Sequence, residues 1–289
     1  MDPGTRRYFS APFAITAALA LISLFRGTEI RITSQVVNSF YEFLHGRITH
    51  GNQSKKDRKM PGSYYGEGSW ARLALLTNPQ RNIGPMRAGA IGLGILTLAA
   101  YSRPSDVFRF YEINPAVIRI AWGEYGYFSY LSDAAARIEV VPGDARLSLE
   151  EEAARHDFQN FDVLFVDAFN GDSIPVHLLT REAMALYLSH LRGPDSVIVV
   201  NATNVFVNLA PVVAALAETY GLKATLIRST VRTGINQPSV FILLSRGDSL
   251  DAPEIRKAGY PMRPDLHQIK GELPLWTDDY SNVATLLAR

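Results

Sequence analysis

Ala88-Gly89-Ala90-Ile91-Gly92-Leu93-Gly94 is the stretch that decides the fold of this chain. An apolar run of strand length ends in two glycines one residue apart, the pattern of a parallel strand whose following turn must let backbone pass close to something else. Three more runs follow, each closed by an acid: Phe108-Arg109-Phe110-Tyr111-Glu112, Ile138-Glu139-Val140-Val141-Pro142-Gly143-Asp144 and Phe161-Asp162-Val163-Leu164-Phe165-Val166-Asp167. If these runs are neighbouring parallel strands, Glu112, Asp144 and Asp167 converge on one sheet edge, the edge where open α/β folds bind their ligands.

From residue 88 onward, strand-length apolar runs alternate with helical patterns, the signature of βαβ units. Strands are expected at 87–92, 107–112, 138–141, 162–167, 196–200, 224–227 and 240–244, with helices at 96–101, 115–122, 146–155, 180–191 and 209–220. Pro115 suits a first helical turn and Gly221 a helix stop. The 228–238 connection lacks helical periodicity, so the last two strands are expected to pair antiparallel. The expected fold class is α/β: a Rossmann-like, seven-stranded, methyltransferase-type sheet, with a small N-terminal β-rich segment and an N-terminal membrane helix. Residues 1–27 are expected to be that helix or the remnant of a membrane domain. Residues 28–80 form a small segment on the substrate side, and residues 81–289 a Rossmann-like nucleoside-binding catalytic domain.

The membrane expectation rests on Tyr8 to Phe25, 18 residues without a charge, flanked by Arg6-Arg7 and Arg26. That length only just reaches the spanning range. A buried or interfacial helix and a signal peptide are the alternatives, and the near-symmetric flanking charge leaves orientation open. Elsewhere, 29 basic against 28 acidic residues offer no global field for a polyanion, so nucleic acid is not an expected partner. The lack of cysteine removes disulfides, zinc-thiolate sites and thiol nucleophiles together. Chemistry is left to carboxylates, tyrosine, histidine or a bound cofactor. His45 and His50 are five apart among glycines with no third ligand in reach by spacing, so no metal is expected. Lys55-Lys56-Asp57-Arg58-Lys59 reads as a solvated loop.

The spacing of the acids suits a nucleoside. Gly92 and Gly94 would let backbone approach it, and Glu112, 18 residues after Gly94, is placed to accept from ribose hydroxyls. A dinucleotide site would want a third glycine beside the pyrophosphate, but the chain continues Gly94-Ile95-Leu96-Thr97. A sulfonium compound has no phosphate and carries positive charge, so an acid-rich mouth suits it better. Asp144 fits two roles equally: acceptor for an adenine amino group, with the Ala145 N–H meeting a ring nitrogen, or N-cap of the next helix. Asp167, opening Asp167-Ala168-Phe169-Asn170-Gly171-Asp172, could hold or deprotonate an amine in the cleft. Its plainer reading is a turn former.

These motifs, with His45-Gly46-Arg47-Ile48-Thr49-His50-Gly51-Asn52-Gln53, Tyr64-Tyr65-Gly66-Glu67-Gly68-Ser69 and Trp276-Thr277-Asp278-Asp279-Tyr280-Ser281-Asn282, resemble spermidine synthase-like proteins, the polyamine aminopropyltransferase family. The likeness is nearest to the soluble domain of membrane-fused bacterial forms and runs from about residue 40 to the C-terminus. It implies an aminopropyl transfer from decarboxylated S-adenosylmethionine, a co-substrate rather than a permanent cofactor, to a polyamine such as putrescine, with release of methylthioadenosine. It further implies Gln53 beside the nucleoside, Glu112 on the ribose, Asp144 on the adenine, Asp167 as the base for the amine, and Tyr65 and Asp172 along the amine channel. Either Asp278-Asp279-Tyr280 closes the amine pocket, or Ser281 and its neighbours simply start a terminal helix. The implied partners are a small-molecule polyamine and, through the N-terminal helix, the cell membrane with the catalytic domain cytoplasmic. A wholly cytoplasmic protein is the alternative, and a homodimer is allowed.

The chain departs from the soluble enzymes of that family where Ile95 stands for an acid, Leu96 for a glycine, and Asn170 for the second acid of the fourth strand. Two other functions therefore stay open. One is an S-adenosylmethionine-dependent methyltransferase on the same fold, and the other a non-catalytic nucleoside-sensing domain.

Overall fold

The computed structural model describes residues 18–23, 29–35, 40–45, 48–66, 69–169, 174–204, 207–232, 235–262 and 274–286. Two sheets organise them. The first is antiparallel, with β1 (Ala18–Ser23), β2 (Glu29–Gln35), β3 (Phe40–His45) and β4 (Ile48–Ser54) in sequential order. The second contains β5 (Arg87–Ile91), β6 (Val107–Glu112), β7 (Arg137–Pro142), β8 (Val163–Val166), β9 (Val197–Asn201), β10 (Lys223–Ser229), β11 (Ser239–Ser245) and β12 (Gly259–Pro261). Its spatial order is β12-β10-β11-β9-β8-β5-β6-β7.

The ladders from β7 to β9 are parallel, and β11 enters antiparallel to both β9 and β10. This is the methyltransferase-type Rossmann arrangement, extended by the short edge strand β12. Its central strands read as unbroken apolar runs because both faces are covered. Val163, Phe165, Val197 and Val199 point into one core, whereas Leu164, Val166, Ile198 and Val200 point into the other, as strand alternation requires.

The helices begin where the chain supplies a cap. Asn114 accepts from the Ala116 N–H ahead of helix Pro115–Ala121, Asp144 caps Ala145–Ala154, and Thr180 caps Arg181–Ser189. The helix expected at 96–101 is a 3-10 turn, Thr97–Tyr101, because Leu96 ahead of it is left-handed at φ +67° and cannot start an α-helix.

The N-terminal membrane helix is corrected. Ala18–Ser23 lies inside the uncharged run yet forms a strand, paired residue for residue with β2 from Ala18↔Ser34 to Ser23↔Glu29. Among the described residues, no helix is long and apolar enough to cross a membrane. The rest of that run lies outside the described residues. Hydropathy alone cannot separate a spanning helix from a strand that finds a partner, because both tolerate the same apolar composition.

Phe165 is fully buried in β8 and stands edge-on to Tyr65 at 5.9 Å. Phe165→Ala is expected to cost about 3 to 5 kcal/mol in urea unfolding, through lost burial and the cavity left behind.

Candidate active site

The C-terminal ends of β5 to β8 and the strand β4 enclose a cavity of about 470 Å³. Gly92, Gly94, Glu112, Asp144, Ala145, Tyr65 and Asp167 all line it. The acids of three strands and the glycine turn therefore share one site. Gly92 has φ +100°, and a Cβ there would stand 2.6 Å from the carbonyl oxygen of Asp167. Glycine at this position is what lets the ends of β5 and β8 touch. A Cβ on Gly94 would come within 2.7 Å of the His50 carbonyl oxygen, so the turn also presses against β4.

The half-buried Glu112 ties the glycine turn to the end of its own strand. Its Oε2 accepts from the Leu93 N–H at 3.1 Å and its Oε1 from the Asn114 N–H at 2.8 Å. Burial raises its pKa above the ordinary carboxylate range, and these backbone donors partly oppose that.

Asp144 fills the capping role. Its Oδ1 accepts from the Arg146 and Leu147 N–H groups at 2.9 and 3.1 Å. Its Oδ2 accepts from Nε2 of His177 at 3.0 Å. Both oxygens already have donors, and Asp144 and His177 line the same cavity.

Asp167 sits just past β8, where its carboxylate collects side-chain donors. The Tyr65 hydroxyl donates to Oδ2 at 2.6 Å, and Asn201 Nδ2 donates to Oδ1 at 2.6 Å. The Tyr64 hydroxyl hydrogen-bonds the same carboxylate. Part of Asp167 is reached through the cavity, but its carboxyl is closed in by these groups, and burial pushes its pKa up to about 6 despite them. Burial, then the charge of Asp167, drives both tyrosines well above the usual phenol range, so each remains a donor at neutral pH. A carboxylate has roughly four acceptor sites. With three donors in place, room remains for one more.

The tyrosines are held by the N-terminal chain. Asn52 in β4 donates to the Ile235 carbonyl at 2.9 Å and accepts from the Ser63 N–H at 2.8 Å. The Tyr101 hydroxyl donates to the Tyr65 carbonyl.

Gln53 does not join this group. It is wholly buried, but its carboxamide accepts from the Ser129 N–H at 2.9 Å and donates to the Arg58 carbonyl at 2.6 Å, and it is not among the cavity-lining residues. Here it locks the β4 end to the 127–133 region. Asp172, with Asn170, lies outside the described residues. Asp278 is not in the cavity wall. It pairs with Arg146 through two short bonds, which hold its carboxyl down at about 2; Thr277 and Tyr280 form a bridged turn, and a short 3-10 helix, Val283–Leu286, follows Ser281.

Sequence reasoning missed Asn201, Tyr64 as a second donor, and His177. Asn201 carried a signal, since Val197-Ile198-Val199-Val200 ends in Asn201-Ala202-Thr203-Asn204 at the same sheet edge. His177 carried none, because it stands in the three-residue 3-10 turn Val176–Leu178, too short to show any periodicity.

No protein-family model matches the chain. It is 34% identical over 130 residues to a polyamine aminopropyltransferase of Vibrio vulnificus, a match covering 44% of this chain and 40% of the relative's length. The crystal structure of a probable spermidine synthase from Corynebacterium glutamicum superposes with a TM-score of 0.57 at 16% identity, covering 86% of each chain, and thereby shows the shared fold. The likeness to the spermidine synthase-like, polyamine aminopropyltransferase family read from the motifs is borne out.

Burial pushes the Asp167 carboxyl up to about 6 in the native state, whereas the unfolded chain titrates near the ordinary carboxylate value, so the unfolded chain loses the proton first as pH rises. Stability contributed by this group is therefore present at about pH 4 and lost by about pH 6. Asp167→Asn removes that loss. Relative to wild type it is expected to gain up to about 3 kcal/mol between pH 4 and 6 and then hold level, as read by denaturant unfolding across pH.

Proposed function

We propose that this spermidine synthase-like chain is an aminopropyltransferase that moves the aminopropyl group of decarboxylated S-adenosylmethionine onto an amine such as putrescine. The observation that carries this reading is Asp167, a carboxylate with a raised pKa and one open acceptor position, standing beside the glycine turn and Glu112 in a single cavity.

Glu112 takes the ribose hydroxyls, with Asp144 and the Ala145 N–H on the base. A nucleoside laid along these strand ends brings its sulfonium toward Asp167. The attacking amine donates one N–H to Asp167, its lone pair forms the new bond to the aminopropyl carbon beside sulfur, and the carbon–sulfur bond breaks. The electron pair goes to sulfur, which becomes a neutral thioether, and the amine's surplus proton passes to Asp167. Displacement at a carbon bearing a cationic leaving group needs alignment above all. A carboxylate whose pKa lies near 6 is ionised at neutral pH and still basic enough to take the proton. Tyr65 holds that carboxylate in place, and Asp172 stays a proposed amine-side acid.

A second reading, S-adenosylmethionine-dependent methyl transfer, is favoured by Ile95 and Leu96. Both are fully buried at the glycine turn, and Ile95 gives the cavity wall an apolar side chain. Such a wall offers no counter-charge to the ammonium of an aminopropyl tail.

Incubating the protein with decarboxylated S-adenosylmethionine and a series of amines is expected to release methylthioadenosine, with Asp167→Ala slowing release about 100-fold. Tighter calorimetric binding of the carboxylated cofactor, with methyl transfer and no methylthioadenosine, would replace the first reading by the second. On the aminopropyl reading, the wild-type rate falls on the acid side as Asp167 is protonated. That limb should centre near pH 6 and vanish in Asp167→Ala.

A further inference from the structure

The 3-10 turn Val176–Leu178 brings one histidine against the acid assigned to the base. Asp144 lines the cavity and uses Oδ1 to cap its helix, which leaves Oδ2 clear of the cap. That oxygen is where Nε2 of His177 arrives, at 3.0 Å. The approach is built rather than incidental, because Arg146, the second residue of the helix that Asp144 caps, grips the histidine's own 3-10 turn. Its Nη1 donates to the His177 carbonyl at 3.0 Å and to Thr180 Oγ1 at 3.2 Å. The same guanidinium is anchored by Asp278 and by Glu150 at 2.9 Å. Carboxylate and imidazole thus hang from one clamp, both in the cavity wall.

We propose that His177 is a specificity-determining residue, a positioning residue that locks Asp144 as a fixed acceptor so that the site takes a nucleoside base bearing an exocyclic amine and refuses one bearing an exocyclic carbonyl. The proposal rests on the nucleoside reading above. An oxygen accepting one hydrogen bond retains a second lone pair, so Oδ2 can keep the His177 bond and still accept from the amine of a base. A carbonyl in that place meets a lone pair with a lone pair. The carboxylate cannot turn away, since Oδ1 is pinned by two backbone N–H groups and Oδ2 by the imidazole. The imidazole N–H that could have served the carbonyl is already committed. Without His177, Oδ2 is free to swing or to take a water that bridges to the carbonyl, and discrimination falls even though the adenine contact survives.

The test is calorimetric binding of methylthioadenosine and methylthioinosine to wild type, His177→Ala and His177→Gln, with thermal unfolding of each. His177 is exposed, and the helix cap does not depend on it, so all three should unfold together. Wild type is expected to favour the adenosine compound by about 100-fold. His177→Ala should lower that ratio about tenfold, the scale of one hydrogen bond, chiefly by gaining affinity for the inosine compound. His177→Gln, whose amide nitrogen can reach the same oxygen, should restore most of the ratio. An equal ratio in wild type and His177→Ala overturns the role of His177 while leaving the nucleoside site standing. Failure of wild type to bind either compound overturns the site and this proposal together.

Discussion

The absent side chain at Gly92 is the constraint on which the site depends. The ends of β5 and β8 approach so closely that a single carbon there would collide with the Asp167 carbonyl at 2.6 Å. Because they meet, the turn after β5 and the acid after β8 share one cavity wall instead of facing each other across a gap. The Leu93 N–H then falls within reach of Glu112, and the end of β6 is drawn into the same assembly. The parallel ladders β8-β5-β6-β7 do the rest, placing Asp167, the glycine turn, Glu112 and Asp144 on successive strand tips at the spacing of a sheet.

The fold treats its three acids differently, and the difference is one of donors. Glu112 is satisfied by backbone N–H groups that cannot move, which suits holding a ligand. Asp144 is divided between a helix cap and an imidazole. Asp167 alone is surrounded by side-chain hydroxyls and an amide, with aromatic rings behind them: Tyr65 packs against Phe241 at 5.7 Å as well as against Phe165. Removal from water disfavours the anion more than the donors favour it, so this acid keeps its proton to a higher pH than an exposed aspartate would.

The Rossmann-like sheet was legible because its strands are covered on both faces, which leaves unbroken apolar runs such as Val163-Leu164-Phe165-Val166 with an acid at the tip. The antiparallel closing pair was legible from the missing helical period in 228–238, and β10 and β11 do pair that way. What hydropathy could not resolve was the N-terminal run. Absence of charge is common to a buried helix, a spanning helix and a strand, and here Ala18–Ser23 is fixed by its pairing with the next strand, β2, which hydropathy does not report. Gln53 illustrates the same limit in the site. Its identity suited a nucleoside contact, but the residue that claims it, Ser129, is 76 positions away. Tyr64, Asn201 and His177 join the site from three separate segments, so nothing local marks them as a group.

Ile95 and Leu96 alter the glycine turn without dismantling it. Leu96 adopts the left-handed conformation that a glycine would take more readily, at a cost of roughly 1 to 2 kcal/mol. Its side chain is completely buried, which offsets that strain through apolar contact. Ile95 is accommodated from the other side. A Cβ on Gly51 of β4 would stand 2.6 Å from Ile95 Cγ1, so the strand leaves vacant the volume that the isoleucine fills. The two positions form a matched pair, and the wall between the antiparallel sheet and the glycine turn is packed rather than open. An apolar wall there excludes water from the side of the cavity that β4 closes. That packing belongs with the enclosure that raises the Asp167 carboxyl, since each group that closes the β4 side leaves less water to stabilise its charged form.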